Sequence, residues 1–376
     1  MKIMHLADLH IGKNINGFSM IDDQDYILKE ILKIIDENNV DTVMMAGDIY
    51  DKSIPATEAI NLFNDFLVEL ASRHLNVLVI SGNHDSADRL AFANKLIAKT
   101  GVYIANVYDG DVKPITIDGI NFYLLPFIKP VNVKRFFPEE EINSYTDMMR
   151  VAIEHMDVDF KQTNILIAHQ FITGASTSDS EVSVGGSDNI DADVFEGFDY
   201  VALGHLHAPQ HILKDTIRYS GTPLKYSFSE SNQIKSATII ELTCKDDLKI
   251  STIPLSPKRD FRTIKGSYEE IVYKPNYEKT NTDDYIKIVL TDEEDIPNVI
   301  GILRNIYPNI ISLEYDNTRT RNNCVLTEVE DIENKSEIEL LEEFYLKQNG
   351  KPMDDTQREY SRELFEKIKE QLLWDH

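Results

Sequence analysis

Five short runs in this chain end in side chains of the kinds that hold metal ions: Asp8-Leu9-His10, Gly47-Asp48, Gly82-Asn83-His84-Asp85, His169 and Gly204-His205-Leu206-His207. Each follows an apolar stretch that reads as a strand, and together they contain five of the ten histidines. A mixture of carboxylate, amide oxygen and imidazole suits hard or borderline cations such as Mn²⁺, whereas a purely thiolate or four-histidine set would suggest other metals. Two such cations roughly 3.5 to 4 Å apart can hold a hydroxide and the oxygens of a phosphate together and stabilise in-line displacement at phosphorus. One carboxylate must then be shared, and Asp48 is the candidate. Taken singly the runs are ordinary: an Asp-x-His after a strand more often turns and caps, Gly and Asn accept positive φ, and a lone histidine is usually structural. Their joint occurrence, in this order and each behind a strand, points to a two-metal centre.

Such residues need a scaffold that brings distant positions together. Strands are predicted at 3–7, 42–46, 77–81, 120–125, 165–168, 200–203, 217–219 and 236–242. Helices are predicted at 22–38, with Ile27, Ile31, Ile34 and Ile35 on one face, and at 56–74 and 87–99. The alternation is that of βαβ units in a largely parallel arrangement, where loops at the carboxyl ends of strands converge on one rim. The stretch 246–259, with Pro254 and Pro257, reads as the linker out of this core. Beyond it, a strand at 285–290, a helix at 296–306 and a strand at 310–315 predict a small α+β domain. From 328 on the chain is acidic, and Gly350-Lys351-Pro352 divides it into helical pieces at 336–349 and 354–374. In the second piece Tyr360, Leu364, Ile368 and Leu372 recur every four residues, widened by Phe365 and Leu373, and that face needs a cover. The expected organisation is an α/β core over 1–250, a small α+β domain over 260–330 and C-terminal helices over 336–376.

Composition narrows the function. A chain of 376 residues with 42% hydrophobic content can bury one full-sized core and a smaller second one. Its 64 acidic against 38 basic side chains, a net charge of −26, disfavour holding nucleic acid by bulk electrostatics. Any DNA contact must be local, metal-assisted or shared with a partner. Cys244 and Cys324 are far apart, which suggests neither a zinc knuckle nor a disulfide framework and fits a reducing cytoplasm. No run approaches the roughly 18 apolar residues of a membrane span. There is no G-x-x-x-x-G-K-S/T loop, so any ATP hydrolysis belongs to another chain.

The ordered series of motifs resembles that of the calcineurin-like metallophosphoesterases, which reads D-x-H, G-D, G-N-H-D/E, H and G-H-x-H. The longer runs YVALGHLH at 200–207 and RYSGTPLKYSFSE at 218–230 resemble the SbcD nucleases within that superfamily. Those are the bacterial counterparts of the double-strand-break repair nuclease of archaea and eukaryotes. The likeness is specific over residues 1 to about 240 and weaker beyond. It implies a metallophosphoesterase core, a β-sandwich flanked by helices. It implies one metal held by Asp8, His10, Asp48 and His207 and another by Asp48, Asn83, His169 and His205. His84 would be the non-ligand that contacts the scissile phosphate and protonates the leaving oxygen. Asp51 is a candidate second-layer partner of His84 and equally plausible as a loop cap.

One departure bears on substrate. Protein phosphatases of the superfamily follow the bridging aspartate with an Asp-Arg-Gly that clamps a phosphomonoester, whereas here Asp48 leads into Ile49-Tyr50-Asp51-Lys52-Ser53. Arg89, Lys225 and Tyr226 are candidates for DNA backbone contacts, with surface ion pairing as the competing reading for each. The Gly/Ser/Asp-rich loop 174–189 is a candidate lining of the DNA groove.

The resemblance further implies two Mn²⁺, with Mg²⁺ as an alternative, and DNA as substrate. The activity implied is exonuclease on double-stranded ends and endonuclease on single strands or hairpins, serving DNA repair, recombination and replication. It implies an SbcC-type coiled-coil ATPase as partner, docked on the C-terminal helices, and a homodimer within a heterotetramer. The small domain corresponds by position to the family's DNA-capping domain. Two rivals use the same residues: a phosphodiesterase for cyclic nucleotides or other small esters, which would not need the appended domain and helices, and a non-catalytic scaffold stabilised by metal, against which the intact ligand set and His84 stand.

Overall fold

The computed structural model describes residues 1–178, 181, 188–245, 247–323, 336–349 and 351–374. The chain divides into two units, Met1–Phe261 and Arg262–His376. Besides a short hairpin of Asn14–Ile15 and Phe18–Ser19, the strands of the first unit are β1 (Lys2–Leu6), β2 (Thr42–Ala46), β3 (Asn76–Ile80), β4 (Val102–Ile104), β5 (Ile115–Ile117), β6 (Ile120–Leu124), β7 (Thr163–His169), β8 (Tyr200–Gly204), β9 (Gln210–Ile212), β10 (Lys214–Tyr219), β11 (Ser236–Cys244) and β12 (Asp247–Pro254). They form two six-stranded sheets, ordered β12-β11-β1-β2-β3-β4 and β9-β10-β8-β7-β6-β5.

Each sheet is parallel through its centre and antiparallel at an edge. β1, β2, β3 and β4 pair in parallel, while β11 runs antiparallel to β1 and β12 to β11. In the second sheet β6, β7, β8 and β10 are parallel, with β5 and β9 antiparallel at the two margins. The sheets face one another across a layer built from Ile3, Met44, Ala46, Leu78 and Ile80 on one side and Phe122, Ile165, Ile167, Tyr200 and Ala202 on the other. That layer explains why β2 reads as an unbroken apolar run: every residue in it is buried, as in a strand covered on both faces. On the outside, helix α1 (Ile21–Asn38) packs on α2 (Thr57–Ser72), and α2 packs on β3. The outer face of the second sheet is covered by Met148, Met149 and Ala152 of a helix whose span is Tyr145–Glu154.

Three expectations are corrected. The predicted helix at 87–99 breaks into α3 (Ala87–Leu90) and α4 (Asn94–Ile97), with Ala93 left-handed at φ 60° between them. α4 buries no residue, so there is no continuous apolar face to hold a longer helix. The stretch expected to be a linker carries β12, which pairs with β11 from Ser236↔Pro254 to Cys244↔Asp247. Pro254 closes an edge strand, where its missing N–H is tolerated. The predicted helix at 296–306 is reduced to Val299–Leu303 because Pro297 disfavours helix before it and Asn298 enters at φ 52°.

The second unit has its own core of Ile271, Ile286, Ile288, Leu290, Leu303, Tyr307 and Ile310. Its sheet is ordered β13 (Phe261–Gly266), β14 (Tyr285–Leu290), β15 (Ile310–Tyr315). β13 was not expected, since its polar and half-exposed positions give no apolar run. The helices Glu337–Asn349 and Asp355–Trp374 pack on each other through Arg358 Nε to Glu342 Oε1 at 2.6 Å and Gln357 Nε2 to Tyr345 Oη at 2.9 Å. Tyr360 and Leu364 are exposed, while Ile368, Leu372 and Leu373 of the stripe have side chains outside the described ones. Among the described residues no helix is long and apolar enough to cross a membrane.

Candidate metal centre

The two sheets direct the carboxyl ends of β1, β2, β3, β7 and β8 to one rim, and the chemistry-bearing residues sit on the turns that leave them. His169 is the last residue of β7, and the others follow β1, β2, β3 and β8 within a few positions. The turns after β1 and β2 run side by side, with Asp8 N–H donating to Gly47 O at 3.0 Å and His10 N–H to Asp48 O at 2.9 Å. Asp8, His10, Asp48 and His205 all adopt positive φ, at 53°, 44°, 49° and 106°. For non-glycine residues this costs of order 1–3 kcal/mol each, and such strain concentrates at functional sites. Gly82 meets the opposite demand: a Cβ there would overlap Asp48 Oδ1 and the Asp48 backbone nitrogen, so the turn after β3 approaches Asp48 only as glycine.

The donor atoms converge in two overlapping groups. In one, His10 Nε2 lies 3.2 Å from His207 Nε2 and 3.8 Å from Asp48 Oδ2. In the other, Asn83 Oδ1 lies 3.0 Å from His169 Nε2 and 2.9 Å from His205 Nδ1, and His169 Nε2 lies 3.4 Å from Asp48 Oδ2. Asp48 belongs to both. Asp8 accepts the His205 N–H on its carboxylate at 3.0 Å and forms a further cluster with Asp48 and His169 whose ligand atoms lie within 4.8 Å of one another. Two carboxylates, one amide oxygen and four imidazoles turned on a common space are a donor set that fits borderline divalent cations.

His84 stands at the mouth. Its Nδ1 is 2.9 Å from the backbone oxygen of Asp51, its Nε2 is 4.0 Å from Asp48 Oδ2, and its N–H donates to Asp48 Oδ1 at 2.8 Å. Its side chain is 39% exposed where Asp48, His10 and His169 are at 3% or below, so it is open to an incoming ligand. Asp51 reaches His84 through its carbonyl and not its carboxylate, which pairs with Lys13 Nζ at 2.7 Å.

Electrostatics follow from burial and proximity. Burial opposes ionisation of Asp48, but the imidazoles of His169, His10 and His84 outweigh it and hold the carboxyl well below its usual range. Burial pushes His169 down and the Asp48 carboxylate pulls it up, to about 9. Burial, with the charge of His169 added, pushes His205 down to about 3, and burial lowers His10 likewise. Neutral rings with free lone pairs and an ionised carboxylate are the states in which such groups can hold a metal; at His169 that would require loss of a proton.

Asp85 was given no role from the sequence, yet it ties the site together. Its carboxylate accepts the N–H groups of Gly82 at 2.9 Å, Ile49 at 3.0 Å and Tyr50 at 2.9 Å, joining the turns after β2 and β3. Burial and the nearby Asp48 charge push it up to about 6, partly offset by those three donors. We predict that Asp85→Ala leaves three N–H groups without their acceptor; at about 1–3 kcal/mol for each group left unsatisfied it should lower stability by at least about 3 kcal/mol in denaturant unfolding. A change below about 1 kcal/mol would mean water replaces the carboxylate there. Gln24 is a second missed residue, donating from Nε2 to His10 O at 2.7 Å and accepting the Gly12 N–H at 2.9 Å. Glu181, in the loop after β7, accepts the His207 N–H. Residues 179, 180 and 182–187 of that loop lie outside the described ones.

Two suggested DNA contacts are corrected. Tyr226 is buried, and its hydroxyl donates to Leu9 O at 2.6 Å and accepts from Gln24 Nε2 at 3.0 Å, so it props the turn after β1. Lys225 is largely buried and held by Ser231 O at 2.7 Å and Asp260 at 2.9 Å. Arg89 is exposed and lines a groove with Tyr50, Ser53 and Ser86.

Comparison with known proteins identifies the family. The family described as calcineurin-like phosphoesterase matches residues 1–209, and the SbcD_C family, described as type 5 capsule protein repressor C-terminal domain, matches residues 257–349. The SbcD subunit of the nuclease SbcCD of Staphylococcus epidermidis (strain ATCC 12228 / FDA PCI 1200) is 36% identical over 318 residues, covering 83% of this chain and 85% of that protein. Solved structures of a Thermus thermophilus protein and of a dimetal phosphatase from Danio rerio are each 10% identical. They cover 67% and 68% of this chain and 98% and 99% of theirs, with TM-scores of 0.35 and 0.37, too distant to inform the site.

Proposed function

We infer the activity from family membership: the chain belongs to the calcineurin-like phosphoesterases and, within them, to the SbcD nucleases. It is a metal-dependent phosphodiesterase of the nuclease kind, and the fold implies divalent metal ions. We propose that it is the DNA-cleaving subunit of an SbcCD-type complex, with two Mn²⁺ in preference to Mg²⁺. It would degrade double-stranded ends and cut single strands or hairpins in DNA repair, recombination and replication. The complex would work in the cytoplasm.

The observation that carries this reading is the place of Asp48 in both donor groups, with His84 accessible beside it. Asp8, His10, Asp48 and His207 would hold one cation and Asp48, Asn83, His169 and His205 the other. Two bound cations would supply Lewis-acid stabilisation of charge at phosphorus and an activated hydroxide. The chain's own residues do the rest. Asp51 O holds His84 Nδ1, which leaves Nε2 to donate a proton to the departing sugar oxygen. Arg89 would contact a DNA phosphate beside this centre, a local contact in keeping with the acidic chain. The second unit would act as the DNA-capping domain. The test is cleavage of linear duplex DNA against bis-p-nitrophenyl phosphate, with Mn²⁺ and then chelator. Hydrolysis of the small ester alone, even with the ATPase present, would make this a small-molecule phosphodiesterase.

Exposed apolar surface supports the proposed partner and a homodimer within a heterotetramer. Tyr360 and Leu364 on the last helix would dock a coiled-coil ATPase of the SbcC type. Removing residues 354–376 is expected to leave metal content and small-ester hydrolysis intact while abolishing co-purification with the ATPase and lowering ATP-stimulated DNA cleavage. Full partner binding by the truncated chain, or its unfolding, would return the helix to this protein's own core. A second copy of the chain would cover Ile54, Ile60, Val68, Phe92 and Leu96 around α2, α3 and α4, where Phe92 is 82% exposed. Ile60 and Phe92 line one groove, and a contiguous exposed apolar patch marks an interface. Phe92→Glu with Leu96→Glu should then yield monomers in sedimentation with metal content unchanged. A wild-type chain that already sediments as a monomer would exclude this dimer.

A further inference from the structure

His207 presents Nε2 to the centre, 3.2 Å from His10 Nε2, and turns Nδ1 away to a carboxylate, Glu230 Oε1 at 3.2 Å. The other oxygen of that carboxylate, Oε2, accepts from Lys235 Nζ at 2.6 Å. The same ammonium donates to the His207 backbone oxygen at 2.8 Å and to Gln233 Oε1 at 2.8 Å. Glu230 is fully buried and Lys235 is 4% exposed. Glu230 occupies the short turn Phe228–Glu230 and Lys235 immediately precedes β11, so one loop bound at both ends carries the whole arrangement.

A buried ion pair is weak evidence for stability, because the cost of removing two charges from water commonly cancels their attraction. Its persistence beside a candidate ligand therefore calls for another account. The other imidazoles differ: His169 Nδ1 faces the Ala46 carbonyl at 2.8 Å, and His10 Nδ1 is 3.9 Å from Asp51 Oδ1. At 3.2 Å from its Nδ1, His207 has the nearest backing carboxylate of the three. A carboxylate behind a ligating imidazole fixes which nitrogen carries the proton, orients the ring and raises its basicity.

We propose that Glu230 is a positioning residue for His207, holding its proton on Nδ1 and its Nε2 lone pair toward the centre, with Lys235 keeping the Glu230 carboxylate in place. This rests on the metal-centre reading above.

The direct test is Mn²⁺ titration of wild type and of the paired variant Glu230→Leu/Lys235→Met, which replaces both charges with apolar groups and leaves neither ion unpaired. Thermal melting checks the fold, and ¹⁵N-histidine spectra of the metal-free proteins read the His207 tautomer. One of two Mn²⁺ sites should weaken by about 10- to 100-fold while the other keeps its affinity, and the Nδ1–H form of His207 should decline. Glu230→Gln/Lys235→Met, which restores an acceptor for Nδ1–H, should recover that tautomer. A folded apolar pair that binds two Mn²⁺ as tightly as wild type overturns the proposal. So does a wild-type His207 protonated on Nε2, a result that needs no variant to fold. Wild-type protein that takes up no Mn²⁺ would remove the metal-centre reading itself, an outcome distinct from a wild type that binds two beside an unaffected variant.

Discussion

Asp48→Ala is expected to abolish phosphodiester cleavage and to reduce bound metal at both positions, not at one. Asp48 Oδ2 lies 3.8 Å from His10 Nε2 and 3.4 Å from His169 Nε2, so one carboxylate serves both groups of donors. Two unit charges about 4 Å apart repel by about 4 kcal/mol at an effective dielectric of about 20, and two dications by about four times that. Without an anion between them the second cation has little reason to stay. Asp48 Oδ1 also accepts the His84 N–H at 2.8 Å, so the substitution frees the turn that carries His84. Metal analysis after dialysis reads the result. Retention of two Mn²⁺ per chain would show that the shared ligand is another residue.

His84→Gln should separate chemistry from binding. Gln preserves size and hydrogen bonding but cannot transfer a proton, and general acid catalysis typically contributes about 10²- to 10⁴-fold. DNA cleavage should fall by that order while Mn²⁺ content and DNA affinity stay near wild type. A p-nitrophenolate leaves without needing a proton, so hydrolysis of bis-p-nitrophenyl phosphate should fall by a smaller factor. Equal losses on both substrates would make His84 a residue that positions the phosphate. Loss of metal would make it a ligand, a role its closeness to His10 and Asp48 makes worth excluding. Unchanged DNA cleavage would remove it from the mechanism.

Much of the centre is legible in the chain because each motif is short and each follows a strand. An apolar run ending in Gly-Asp or Gly-Asn-His-Asp states both that a strand ends and that its last turn carries donors. The order of five such runs is enough to reach a metallophosphoesterase. What these residues could not state locally is what lies behind them. Nothing in the run 218–230 or in the residues after it states that Glu230 and Lys235 are paired, and only the packing of that loop against the turn after β8 makes them a buried pair. Asp85 likewise gains its role from two turns brought side by side.

The reverse failure is equally local. Lys225 and Tyr226 are residue types that bind phosphate backbones, and in sequence they sit in a run resembling a nuclease. Tyr226 faces inward because its ring packs edge-on against His10 and its hydroxyl meets the Leu9 carbonyl. The stretch 246–259 looks like a linker because it carries Pro254 and Pro257, yet β12 needs only one partner and an exposed face. Strand periodicity, turn glycines and the kinds of donor atom are properties of a residue and its neighbours, so the sequence by itself determined the α/β core and the identity of the candidate ligands. Which atom of each side chain faces the centre, which charges are buried behind it and which polar residues are consumed in holding the turns depend on contacts between segments up to two hundred residues apart, and only the tertiary structure decided them.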